Sequence, residues 1–202
     1  PHVYEISAYV TNPLVEIVVC VENTGYPTKG GHLTSPDTQS NWNGITGSMT
    51  LEVFSEVYAD HVQACPDPER REVTLTMQLH GAKTASFAAE GSVMDSIPTF
   101  QTQLTADASG MASVTIPLEE AYYEWSEFHP ALYCLTYRIN EQDCGYLSFG
   151  MRQFCTDGMR FTITGQPTML RGKHDGLIFP RTGYAPTEVN EWIRILEIAK
   201  SY

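Results

Sequence analysis

Within residues 71–80, polar and apolar side chains alternate strictly from Glu72 onwards, and this constrains the fold more than any other feature. The apolar members of the run are Val73, Leu75, Met77 and Leu79. Strict alternation predicts a strand with one face in a core and the other in water. The apolar period of an α-helix does not occur before residue 187, so the preceding chain is predicted to consist of strands, turns and loops.

Short strand-like segments recur at nearly regular spacing between residues 48 and 151. Besides 71–80 they are 49–54, 57–64, 99–106, 112–118, 131–139 and 144–151, the last two predicted to pair. Residues 81–96 are small and weakly patterned, and we expect a loop or an edge element there. About seven short strands in about a hundred residues predict a mainly β fold, a two-sheet sandwich of immunoglobulin-like type.

The flanking regions differ from this pattern. Residues 3–10 and 14–22 are predicted to form two strands joined by a turn, and a polar, glycine-rich run follows them. After Arg152, segments 159–163 and 168–172 are predicted to form a hairpin. The first and third regions make sense as parts of larger domains, with a complete sandwich between them.

Residues 187–202 form the one segment with a helical period. Its apolar positions are Val189, Trp192, Ile193, Leu196 and Ala199. Thr187 is the predicted N-cap. An apolar stripe this wide needs a partner surface, so we expect self-association through 187–202. The abrupt ends of the sequence predict a piece of a longer protein.

Charge and composition exclude several classes of function. The net charge is −12 and the isoelectric point is near 4.8, which disfavours nucleic acid and anionic lipid as partners. No stretch approaches the roughly 20 apolar residues that span a bilayer. The six histidines are scattered without metal-ligand spacing, so neither a metal site nor a cofactor is expected.

The five cysteines leave the redox environment open. They show no CxxC motif, and their apolar contexts favour buried, reduced thiols. A disulfide between Cys134 and Cys144 remains an alternative at this stage, because both fall in or beside neighbouring predicted strands.

Three stretches together resemble family 2 of the glycoside hydrolases, the β-galactosidase, β-glucuronidase and β-mannosidase group. They are SNWNGITGSMTLEVFSEVYADHVQACPD (40–67), EWSEFHPALYCLTYRI (124–139) and LSFGMRQFCTDGMRFTITGQPTMLRGKHD (147–175). The resemblance implies the tail of a jelly-roll, sugar-binding-like domain over 1–45 and an immunoglobulin-like sandwich over 46–150. For 151–202 it implies the entrance hairpin and first helix of a (β/α)8 barrel.

The same resemblance implies a function for the parent protein. Such enzymes are retaining glycosidases that act on O-glycosidic bonds with two carboxyl groups about 5–5.5 Å apart. The resemblance places both catalytic residues beyond Tyr202, so this chain is expected to contain no catalytic residue and to be inactive alone. Its expected partners are the remaining domains of the parent and, through them, a β-galactoside-like carbohydrate. A periplasmic or secreted location is suggested by the resemblance only.

Residues after the third stretch are the candidate substrate contacts. By resemblance, His174 would donate to a sugar hydroxyl and Asp175 would accept from one, while Arg171 would be an ion-pair partner beneath them. The alternative is that His174 and Asp175 belong to an ordinary polar loop. The family usually has Asn where this chain has Thr164, and here Lys173 directly precedes His174, which leaves the sugar undefined.

Aromatic residues at 122–125 support two interpretations. Tyr122, Tyr123 and Trp125 could form a platform on which a sugar stacks, or Trp125 could fill the core of the sandwich, which we favour. A functional alternative for the whole chain is a self-standing carbohydrate-binding or adhesion module with an immunoglobulin-like fold, but such a module would not be expected to expose the apolar face of 187–202.

Overall fold

A computed structural model describes residues 2–22, 44–45, 47–93, 96–118, 122–172 and 179–202 of the chain. The chain divides into two units. One comprises Leu51–Arg171, and the other comprises Pro1–Thr50 together with Gly172–Tyr202.

Seven strands of the larger unit form two antiparallel sheets. In chain order they are β1 (Tyr58–Asp67), β2 (Glu72–His80), β3 (Thr84–Ser92), β4 (Ser96–Thr105), β5 (Met111–Pro117), β6 (Tyr133–Ile139) and β7 (Asp143–Phe149). One sheet has the order β1-β2-β5 and the other β4-β3-β6-β7. The predicted mainly β, two-sheet sandwich is confirmed, and so is the pairing of β6 with β7.

The core lies between the two sheets and takes alternate residues from each. The four apolar residues of the 71–80 run are at most 4% exposed, as the alternation predicts. The opposite sheet contributes large buried side chains, chief among them Phe87, Leu104, Tyr133, Leu135 and Ile139. Burial of these apolar surfaces is the main stabilising contribution to the sandwich.

Residues 81–96 were expected to be a loop or an edge, and that expectation is wrong. β3 lies in the interior of its sheet, between β4 and β6. Its inward positions are Ala85, Phe87 and Ala89, all at most 3% exposed. Alanine gives a weak hydrophobic signal in the sequence, yet its small size suits a strand that packs closely on its neighbours.

The first strand differs from the expected pair of strands. Residues 49–54 form no strand, and β1 alone covers Tyr58–Asp67. Its register against β2 is interrupted between Asp60 and Gln63, where His61 has a φ of 50°. Such a β-bulge bends the strand and turns a side chain to a new direction.

The strands predicted at 3–10 and 14–22 do not form. Residues 2–22 contain one 3-10 turn, Ser7–Tyr9, and no strand. Side chains such as Val3, Leu14 and Val18 are more than 80% exposed. A strand requires a hydrogen-bonded neighbour, and these residues pair with no other described segment. The polar run that follows lies largely outside the described residues.

The predicted hairpin after Arg152 is confirmed in part. β8 (Phe154–Asp157), β9 (Arg160–Ile163) and β10 (Gln166–Thr168) form a three-stranded meander, so the last strand precedes the predicted 168–172. The turn between β9 and β10 consists of Thr164 at φ 47° and Gly165 at φ 76°. A two-residue turn with both φ values positive favours Asn-Gly, which explains why threonine at this place is unusual.

The predicted C-terminal helix is present as α1 (Val189–Lys200) in the smaller unit. Thr187 is not its N-cap, because the cap position is Glu188, which makes no side-chain capping bond. The Trp192 indole N–H donates to the Pro186 carbonyl at 2.8 Å instead. Val189, Ile193 and Leu196 are exposed, and self-association through them remains a prediction. Among the described residues, no helix combines the length and apolar character that crossing a bilayer requires.

The cysteines are reduced, but they are not buried as expected. Cys134 is half-buried and the other four are exposed. In the ladder of β6 and β7, Cys134 lies opposite Ser148 and Cys144 lies opposite Arg138. Cys144 is therefore displaced from Cys134 by four residues along the strand direction, or about 13 Å, which is too far for a disulfide.

Candidate functional site

The predicted substrate residues are divided by the limits of the described chain. His174 and Asp175 lie outside the described residues, so their contact with sugar remains a prediction. Arg171 is described, and its guanidinium lies 2.6 Å from the Glu127 carboxylate. Both side chains are well exposed, so the pair contributes little to stability, on the order of 0–1 kcal/mol. It nevertheless attaches the end of the larger unit to the loop between β5 and β6.

That loop contacts the segment that follows β7, and this set of contacts is the candidate functional site. We call it the loop–exit contact, formed by residues 122–127 and 150–152. The backbone N–H of Trp125 donates to the Met151 carbonyl at 3.0 Å, and Glu124 and Met151 form a parallel β-bridge. These bonds fix the direction in which the chain leaves the sandwich.

Trp125 is the centre of this contact and is half-buried. Gly150 lies directly against its indole, since a Cβ at that position would be 2.8 Å from the ring. The Arg152 guanidinium carbon lies 4.1 Å from the ring centroid, a cation–π arrangement. The interpretation of Trp125 as the core plug is therefore wrong.

Tyr133 fills the core in the way expected of Trp125. It is 0% exposed and stacks on Phe149 with ring centroids 5.2 Å apart. Its hydroxyl oxygen accepts the backbone N–H of Tyr123 at 2.7 Å, which connects the buried core to the loop. Burial raises the pKa of Tyr133, although that N–H partly opposes the rise.

Tyr122, in the same loop, has a separate set of contacts. Its hydroxyl donates to Glu124 Oε2 at 3.2 Å, and the Arg71 guanidinium carbon is 5.2 Å from its ring centroid. Burial, together with the nearby negative charge of Glu124, raises the pKa of Tyr122 to about 12. The phenol thus stays protonated and keeps its hydrogen bond throughout the physiological range.

The loop–exit contact can hold and orient the chain that leaves the sandwich, and its side chains offer little catalytic chemistry. An arginine guanidinium lies over one face of the Trp125 ring and another over one face of the Tyr122 ring, and each obstructs sugar stacking on that face. In the part of the chain that the structure describes, no group of three or more His, Cys, Asp or Glu side chains is placed to hold a metal ion.

Sequence reasoning missed Gly150, Arg152 and Glu127 as partners in this contact. The stretch 147–175 was singled out in the sequence, but nothing in it shows that Gly150 makes room for an indole. Contacts between residues 25 or more positions apart leave no local signal in one sequence.

Comparisons with known proteins give a likeness of fold only. The chain matches no protein-family model and no curated protein. Among solved structures, the β-glucuronidase of Bifidobacterium dentium complexed with coumarin-3-O-glucuronide has a TM-score of 0.42 at 15% identity, covering 55% of this chain and 20% of that one. A GH2 β-galacturonidase from Eisenbergiella tayi bound to glycerol has a TM-score of 0.48 at 18% identity, covering 68% and 26%.

A third solved structure is similar to a comparable extent. The apo β-glucuronidase 3 of Bacteroides uniformis has a TM-score of 0.41 at 22% identity, covering 59% of this chain and 16% of that one. The chain thus spans between 16% and 26% of the length of these three glycosidases.

Replacing Trp125 by alanine should lower the free energy of unfolding by about 1–2 kcal/mol, less than the 3–5 kcal/mol expected of a buried aromatic residue. The indole is only partly buried, so less apolar surface is exposed when it is removed. Urea denaturation of Trp125→Ala, Arg152→Ala and the double variant measures the interaction energy between the two side chains. We expect it to be about 0.5–1 kcal/mol. Phe128→Ala, on the same loop and 75% exposed, is the control. A Trp125→Ala loss above about 3 kcal/mol would restore the core interpretation.

Proposed function

We propose that this chain is the non-catalytic structural portion of a family 2 glycoside hydrolase. The parent would hydrolyse O-glycosidic bonds by the retaining mechanism, on β-galactoside-like substrates. Residues 1–45 would be the end of a jelly-roll domain, 46–150 the sandwich, and 151–202 the entrance hairpin and first helix of the catalytic barrel. The three stretches at 40–67, 124–139 and 147–175 are the sequence support for this proposal.

The loop–exit contact is the observation that carries the structural role. Trp125, Met151 and Arg152 hold the chain as it leaves the sandwich, and the ion pair of Glu127 with Arg171 holds it again beyond β10. A sandwich whose work is to set the position of the following domain needs such fixation at its exit. Stabilisation of a catalytic geometry by rigid support outside the active site has precedent in general enzymology, because small displacements of reacting groups slow the reaction severely.

The reading frame beyond the codon for Tyr202 tests the proposal. A continuing frame, with an Asn-Glu pair after the expected fourth barrel strand and a second Glu near the seventh, is the expected result. The whole product should hydrolyse p-nitrophenyl β-glycosides, and Glu→Gln at either position should abolish turnover, while the 202-residue chain alone should show none. A stop codon directly after Tyr202 would contradict the proposal.

A self-standing carbohydrate-binding or adhesion module is the competing function, and the same chain tests it. The proposal predicts no measurable affinity of residues 1–202 for oligosaccharides in calorimetry. Binding that is lost in Trp125→Ala would favour the module, although the guanidinium over the indole argues against that ring as a sugar platform.

A further inference from the structure

β5 forms one edge of the three-stranded sheet, where β2 is its sole neighbour among the described strands. Its sequence, MASVTIP, contains no charged residue, and its register against β2 is unbroken over all seven positions. Natural proteins usually protect such an edge with charges, bulges or prolines. Here the one such feature inside the strand is Pro117, at its end.

The direction of each backbone group of β5 follows from the ladder. Leu79 N–H bonds the Gly110 carbonyl at 2.9 Å and Leu118 N–H bonds the Arg71 carbonyl at 2.9 Å. In an antiparallel ladder the bonded pairs recur at every second residue. The even-numbered residues of β5 therefore turn their N–H and C=O groups towards β2, and Met111, Ser113, Thr115 and Pro117 turn theirs outwards.

Met111 has both outward groups already bonded, and Pro117 lacks an outward donor. Met111 N–H donates to the Asp107 carboxylate at 3.0 Å, and its carbonyl accepts the Asp107 N–H at 2.8 Å. Pro117 has no N–H to offer. Ser113 and Thr115 remain, and within the described part of the chain their outward N–H and C=O groups have no hydrogen-bond partner.

We propose that a second copy of this chain pairs with this edge, β5 against β5, around a two-fold axis at Val114. In an antiparallel arrangement centred there, Ser113 lies opposite Thr115 of the second copy. Both residues carry outward donors and acceptors, so each such pair exchanges two N–H···O bonds, and the axis generates the pair twice. The arrangement satisfies every outward group of Ser113 and Thr115 in both copies.

The side chains of β5 are compatible with this pairing. Ser113 and Thr115 have their hydroxyls on the outer face, where Thr115 Oγ1 already bonds Thr74 Oγ1 at 2.9 Å. Cross-strand Ser–Thr pairs are favourable, and no like charges meet at the edge despite the net charge of −12. Pro117 and the Asp107 bonds to Met111 stop the ladder on either side, so the interface is small and the dissociation constant should be on the order of 0.1–1 mM.

Amide hydrogen exchange measured by NMR at two protein concentrations tests the pairing. The amides of Ser113 and Thr115 should exchange about two- to threefold more slowly near 1 mM than near 0.05 mM, because a larger fraction of the chains is then paired and pairing closes these amides to water. The Val114 amide faces β2 and is the internal control, with no change expected. Equal exchange of Ser113 and Thr115 at both concentrations would overturn the proposal.

Variants separate this edge from the exposed helix α1. In the Leu196→Glu background, which disrupts the apolar face of α1, Ser113→Pro removes the outward N–H whereas Ser113→Ala keeps it. Sedimentation should show a dissociation constant at least about tenfold higher for Ser113→Pro. Equal constants for the two variants would contradict the pairing.

A second pair of variants answers the question if Ser113→Pro unfolds. Ser113→Lys brings like charges together across the axis, while Gln63→Lys adds the same charge on β1, two strands away. Weakened association in the first variant alone is the expected result. Equal association in both would count against an interface at β5.

Discussion

Replacement of Tyr133 by alanine should lower the free energy of unfolding of the sandwich by about 3–5 kcal/mol. The side chain is 0% exposed, stacks on Phe149, and accepts the backbone N–H of Tyr123. Alanine would leave a cavity between the sheets and would remove the acceptor that joins the core to the loop. Urea denaturation followed by circular dichroism measures the loss.

Two further substitutions separate the parts of this effect. Tyr133→Phe keeps the ring and removes the hydroxyl, so it should cost about 1–2 kcal/mol. Tyr146→Ala makes the same truncation on the outer face of the same sheet, where the side chain is 66% exposed, and should cost less than about 1 kcal/mol. Similar losses for Tyr133→Ala and Tyr146→Ala would mean that Tyr133 is not a core residue.

Replacement of Gly91 by valine should destabilise the sandwich by about 3 kcal/mol. Gly91 lies on β3 opposite Leu135 of β6, and a Cβ there would overlap the Cys134 carbonyl and the Leu135 side chain. The carbonyl belongs to an interior strand and cannot move without breaking the ladder. The two central strands of the four-stranded sheet would have to separate locally.

Gly172→Val is the matched control for this substitution. A Cβ at Gly172 would meet no heavy atom of the described residues within 4 Å, and its φ is not in the left-handed region. The free energy of unfolding of Gly172→Val should therefore stay within about 0.5 kcal/mol of that of the unsubstituted chain. Calorimetric melting of both variants decides the matter, and equal melting temperatures would refute the close approach of β3 to β6.

The sequence predicted the strands whose side chains differ strongly in polarity. β2 was found because leucine, valine and methionine alternate with threonine and glutamine, and this contrast survives in the burial pattern. β3 was missed because Ala85 and Ala89 are too small to signal burial, although Phe87 between them is 2% exposed. In 2–22 the opposite error occurs: the residues favour strands, and two strands were predicted, but none forms because no described segment pairs with them.

The candidate site was less predictable than the fold. The stretches around Trp125 and Arg152 were both recognised, yet their contact depends on how the β6–β7 hairpin returns the chain. Burial of Tyr133 depends on which face of β6 points inwards, and a shift of one residue in register would turn this side chain outwards. Arg171 was expected to form an ion pair, and it does so with Glu127.

The position of Trp125 beside Met151 makes the indole an optical reporter of folding order. The two residues flank the whole of β6 and β7, so their hydrogen bond closes a loop that the hairpin must first shorten. Indole fluorescence is sensitive to a cation held over the ring, and Arg152 arrives there after the hairpin in chain order. The emission of Trp125 would therefore mark the formation of the β6–β7 hairpin and of the exit that follows it.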